Sequence, residues 1–306
     1  MMSTENKKPS LKGSKENFRI ESSLVVFAVA AVAGIIIRSM QMASYIDPKT
    51  GFYIGNGDWI HLIFYVILAV NIIFFSSRAY LSSDVKKITI GEGTNKLAAL
   101  GTRLFALSLL GDTYYCFYQV MFNSTAVSGY TNAMKNGTMP MTLQAVFAFL
   151  SAIYLFILAS DFSKGTAKAY NRKFLATAPV FWAGSRLILR FLKQISFVQV
   201  SDLLLELVMI AFMIMFFMSI SQTASGVYKD AFKWRIPGFG LSAALIAATV
   251  SVPRMIFALV ARDYVNQAYP FSLTDLLFVI FIITLMVKIK EDAKKPLPAS
   301  AEEKAE

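Results

Sequence analysis

The chain is divided into stretches of about twenty consecutive apolar residues, and this feature decides most of what it can become. A hydrocarbon layer about 30 Å thick takes roughly 20 residues of helix, at about 1.5 Å each, to cross. Eight segments reach that length: Ser22 to Met42, Trp59 to Leu81, Leu97 to Val120, Met139 to Asp161, Phe174 to Phe197, Ser201 to Gln222, Pro237 to Ala261 and Ser272 to Lys288. Several open on helix-start chemistry, as in Gly57-Asp58-Trp59, Met139-Pro140, Ser201-Asp202, Ile236-Pro237 and Thr274-Asp275. Composition agrees, since 56% of the 306 residues are hydrophobic and 16% charged, far from the balance of a water-soluble domain. The expected fold is an all-α polytopic membrane protein with eight transmembrane helices.

The links between these segments alternate in Lys and Arg content, and in short loops that bias marks the cytoplasmic side. One side carries 21 of the 30 basic residues; the other carries three, Lys49, Lys135 and Arg262. Both termini are therefore expected in the cytoplasm, in the plasma membrane, and orientation explains most of the net charge of +11. The basic residues are split over five short segments with no folded domain to present them, so nucleic acid is not an expected partner. Anionic lipid is, and a soluble partner at the inner loops stays open. Residues 1–20 form a basic N-terminal segment, and the apolar run that follows is too long for a signal-peptide core, so it is expected to remain as the first span. The transmembrane domain covers 21–290. The charged, proline-containing tail 291–306 lacks an apolar face and is expected to be disordered.

Laid in pairs, the spans look repeated. The odd members contain Arg38, Arg103, Arg186 and Arg254, spaced by 65, 83 and 68 residues, each within a similar apolar setting. The even members answer near their starts with Asp58, Asp202 and Asp275, and with Gln144 in the remaining position. This predicts four tandem two-helix hairpins. Ionised groups at membrane depth are costly and need partners. On the fifth span Arg186, Arg190 and Lys193 follow i, i+4, i+7 spacing, and on the sixth Asp202 and Glu206 are four apart, so a short turn predicts Lys193 beside Asp202 and Arg190 beside Glu206. Arg186 is left a turn deeper, needing a water-filled cavity, an anionic ligand, or an acid from another hairpin such as Asp58, Asp112 or Asp275.

Two readings follow. In one, Arg38, Arg186, Arg190 and Arg254 hold a small anionic or zwitterionic solute in an outward-facing cavity, while Asp58, Asp202, Glu206 and Asp275 orient the arginines or bind a coupling ion. In the other, the same pairs only clamp the bundle of a non-transporting sensor or accessory subunit. His61, the aromatics Tyr114, Tyr115, Tyr118 and Trp182, and the Met209, Met213, Met215 and Met218 run fit interfacial or core roles. Gly55-Asn56-Gly57-Asp58 matches a short intramembrane-protease pattern, but the preceding span offers no second carboxylate. No P-loop, serine elbow or HExxH pattern is present, so the reading leans away from an enzyme. With one His and one Cys in the chain, no cofactor and no metal site is expected.

Overall fold

The computed structural model describes residues 12–46, 53–55, 57–82, 93–123, 137–192, 200–226, 233–260 and 272–294, excluding the side chains of 12–20, 170, 200–202 and 293–294. Among these residues the fold is all-helical, with one isolated backbone bridge between Ile46 and Tyr53. Eight α-helices occur in the described residues: α1 Lys12–Met40, α2 Gly57–Leu81, α3 Lys96–Tyr118, α4 Thr138–Lys164, α5 Ala178–Leu192, α6 Val200–Ala224, α7 Arg235–Val260 and α8 Leu273–Lys294. Two of them, α1 and α3, continue into π-helical turns at Gln41–Tyr45 and Gln119–Asn123. Such turns are rare and concentrate at functional sites.

Among the described residues, five helices are long and apolar enough to cross a membrane: the Glu21–Tyr45 part of α1 with its π-turn, then α2, α4, the Leu203–Ala224 part of α6, and α7. The other three differ for visible reasons. Helix α3 carries Lys96, Arg103 and Asp112, and α8 carries Asp275 and the charged run from Lys288. Helix α5 has 15 residues where a span from Phe174 to Phe197 was expected. Its approach is spent in a tighter 3₁₀ turn, Leu175–Thr177, and 193–199 lie outside the described residues. At the two ends helix extends beyond the expected domain limits, back to Lys12 and on to Lys294. Residues 295–306, expected to be disordered, lie outside the described residues.

Local chemistry sets several boundaries. Asn95 caps α3, its Oδ1 accepting from the Ala98 N–H at 2.8 Å. Helix α4 stops at Gly165, whose φ of +70° needs no Cβ and lets its N–H return to the Asp161 carbonyl. The buried Asp161 carboxylate accepts from Thr166 Oγ1 and the Ala169 N–H, both at 2.6 Å, and so anchors the link that leads to α5.

Consecutive helices run antiparallel. At one end Glu21 meets Lys290 at 3.0 Å, Asn95 donates to Glu291 at 2.6 Å, and Tyr80 packs edge-on against Trp234. Starts of odd helices thus meet ends of even ones there, amid the lysine-rich links. At the opposite end Gln41 donates to the Ile60 carbonyl at 3.2 Å, and Gln144 to Asp112 at 2.9 Å. Side by side, the helices form a closed circuit, α1–α2–α7–α6–α5–α4–α3–α8 and back to α1, and α7 also reaches inward to α1 and α8. Helix α7 is buried almost continuously from Ile236 to Ser251. Its small residues, among them Gly238, Gly240, Ser242, Ala243, Ala244, Ala247 and Ala248, permit this by letting backbones approach closely.

Candidate functional site

At the end where odd helices finish, four helices converge on one ionic cluster. Arg186 and Arg190 come from the last turns of α5, Glu206 from the second turn of α6, Arg254 from the last third of α7, and Asp275 from the first turn of α8. Asp275 and Arg190 also sit where the helix dipoles favour their charges. Arg186 grips Asp275 with two parallel hydrogen bonds, Nη1 to Oδ1 at 2.7 Å and Nη2 to Oδ2 at 3.0 Å. Both side chains are buried, and fork-to-fork geometry of this kind is the strongest form of the pair. Arg190 donates to Glu206 Oε1 from Nε at 2.9 Å and lies 2.6 Å away through Nη2. Arg186 Nη2 stands 3.8 Å from the same oxygen.

The other oxygen of Glu206 is held differently. Its side chain is 1% exposed, yet Oε2 receives no hydrogen bond among the described residues. Arg254 Nη1 lies 3.8 Å away, close enough to attract and too far to donate. Arg190 and Arg254, at 13% and 10% exposure, are the least covered members and form the rim. Pro253 precedes Arg254 and removes the backbone bond that would have reached the Thr249 carbonyl.

A second layer lies one turn deeper. Trp182, one turn before Arg186 on α5, donates from Nε1 to Asp112 Oδ2 at 2.8 Å, and its ring lies 5.3 Å from the Arg186 guanidinium. Gln144 donates to both Asp112 oxygens, at 3.2 and 2.9 Å. Below this, buried aromatics from four helices close the interior. The Phe105 ring is 6.1 Å from Trp182, 6.2 Å from Phe217, 5.6 Å from Phe278 and 5.4 Å from Phe281.

The expected residues are thus divided between locations. Arg186, Arg190, Arg254, Glu206 and Asp275 come together. Arg38 belongs to a separate group, where it is buried and donates to Gln41 Oε1 at 2.7 Å and to the Tyr53 hydroxyl at 2.9 Å. Its expected partner Asp58 is exposed at the start of α2. Next to this group the His61 ring packs between Tyr53 and Tyr65, each at 4.4 Å. The side chains of Asp202 and Lys193 lie outside the described residues. Arg103 is exposed on the outer wall of α3, where a long basic side chain reaches polar surroundings by itself. The sequence offers Asp112 as a partner for Arg186, whereas the structure gives it Gln144 and Trp182. Gln144 leaves a trace in the sequence as the amide in a position where the other hairpins carry aspartate.

Of the methionines on α6, Met209 and Met213 are core and Met215 and Met218 exposed, consistent with packing roles. Comparison with known proteins finds no family model, no characterised protein and no solved structure that matches this chain.

Proposed function

We propose that this is an eight-pass plasma-membrane protein built of four tandem hairpins, with both termini in the cytoplasm, that binds a small solute through its anionic group. The solute enters from the outer side, and Arg190 and Arg254 receive it above Glu206. The observation that carries this reading is the buried, undonated Glu206 Oε2 facing Arg254 across 3.8 Å. Buried polar atoms almost always have partners, and an acceptor left without a donor calls for one such as a zwitterion's ammonium group, while Arg190 and Arg254 attract the anionic group of the same solute. Arg186 and Asp275 hold α5 to α8 and keep the receiving residues in place. The positively charged links on the other side fit anionic lipid headgroups. Passage through the protein would require the Phe105 layer to part, whereas binding does not.

A second reading, a clamp in a non-transporting sensor or accessory subunit, is favoured by the complete pairing of Arg186 with Asp275. Thermal unfolding of the detergent-purified protein separates the two. Small carboxylates, phosphates and amino acids would be screened against the wild type and against Arg254→Ala, which spares the Arg186–Asp275 pair. Binding predicts a stabilising compound whose effect disappears in the variant. If no compound stabilises the wild type, or if the effect survives Arg254→Ala, the clamp remains.

A further inference from the structure

Two buried polar atoms on facing helices have no hydrogen-bond partner among the described residues. One is Glu206 Oε2 of α6, and the other is the hydroxyl oxygen of Ser251 on α7, a residue 2% exposed. A buried hydroxyl on a helix ordinarily returns to a carbonyl three or four residues back. On α7 itself Ser242 donates to the Gly238 carbonyl at 2.8 Å, and Thr249 to the Ile246 carbonyl at 2.9 Å. Ser251 makes no such bond, so its hydroxyl is dehydrated without compensation.

Helical spacing fixes where this hydroxyl lies. Gly240, Ala244, Ala247 and Ser251 stand at i, i+4, i+7 and i+11, on one face of α7. That face meets α6 at Gly240, where an added Cβ would come within 3.0 Å of Phe216 Cδ2. It meets α6 again at Arg254, whose Nη1 is 3.8 Å from Glu206 Oε2. Ser251 lies between these two contacts, one turn deeper than Arg254, which brings it level with the turn of α6 that holds Glu206.

Resting on the solute site argued above, we infer that Ser251 and Glu206 together select an α-amino acid. Its ammonium group donates to Glu206 Oε2. Its carboxylate, drawn by Arg190 and Arg254, accepts the Ser251 hydroxyl hydrogen. The spacing limits the class, since Oε2 and Arg254 Nη1 are 3.8 Å apart and the two charged groups that answer them must be adjacent in the ligand. One carbon between ammonium and carboxylate meets this; a longer spacer has to fold back on itself.

Isothermal titration of the full-length, detergent-purified protein with glycine, β-alanine and acetate tests the assignment, together with Ser251→Ala. Glycine is expected to bind the wild type about tenfold more tightly than either other probe, and Ser251→Ala to weaken glycine about tenfold. Thermal unfolding of the empty variant is expected to occur at a higher temperature than that of the wild type, because alanine removes a buried hydroxyl that had no partner. A hydroxyl serving the fold would move that temperature the other way. Equal affinity for glycine and β-alanine or acetate would overturn the inference and leave the solute site standing. So would unchanged glycine binding in Ser251→Ala, or an empty variant that is less stable or fails to fold. If none of the three probes binds, the inference fails, and the solute site fails with it only when the wider thermal screen also finds no ligand.

Discussion

The Arg186–Asp275 pair shows why removing one partner differs from removing both. With Asp275→Ala, a buried guanidinium loses two charge-assisted hydrogen bonds and has Glu206 only at 3.8 Å. The expected loss is about 3–5 kcal/mol of stability, while Arg186→Met with Asp275→Leu together, which leaves nothing charged to desolvate, recovers most of it. Thermal or denaturant unfolding of the three proteins in one detergent measures both. Equal losses in the single and double variants would show that the pair is not acting as a unit. At this scale the sequence was informative where partners are close along the chain. Arg190 and Glu206 are 16 residues apart, and i, i+4 spacing on two adjoining helices was enough to match them. Arg186 and Asp275 are 89 apart, and spacing could only place Asp275 among three candidates, because the choice depends on how α5 and α8 pack. The amphipathic ring of Trp182 suits an interface when read from sequence; its tie to Asp112 depends on a neighbour 70 residues away.

Between elements, closeness is set by small residues facing β-branched ones. A Cβ on Gly34 of α1 would come within 2.5 Å of Thr249 Cγ2 on α7, inside any ordinary contact. Gly34→Ala is therefore expected to cost about 1–3 kcal/mol by forcing the two helices apart. Thr249→Ser deletes the obstructing methyl and should relieve most of that loss in the double variant, since Thr249 Cβ lies 3.8 Å from the same point. Additive losses would place the strain elsewhere. Helix existence was legible because a twenty-residue apolar run has few alternatives in lipid. Helix length was less so. Apolarity continues through the 3₁₀ turn before α5 and past the π-turns that finish α1 and α3, so hydropathy cannot separate these tighter or wider turns from regular helix. The separate location of Arg38 was hidden for a related reason: Tyr53, its hydroxyl acceptor, sits in the α1–α2 link, a region without periodicity.

For the whole molecule, alternating helix direction and lysine placement combine into a testable orientation. In a Cys116→Ser background, Ser128→Cys is expected to react with an impermeant maleimide added to intact cells, whereas Ser83→Cys and Ala231→Cys react only after the membrane is opened. The reverse pattern would invert the protein and place the Arg254 rim inside the cell. The circuit of helices has a further implication, for biogenesis. Helix α7 touches α1, α2, α6 and α8, and it lies near the end of the chain. A ribosome therefore releases six helices before their common axle exists. Until then α1 and α2 lack the neighbour that joins them to α5 and α6, and Glu206 waits without Arg254. The nascent protein is therefore expected to consolidate late, once α7 and then α8, which carries Asp275 and joins α3 to α1, have emerged.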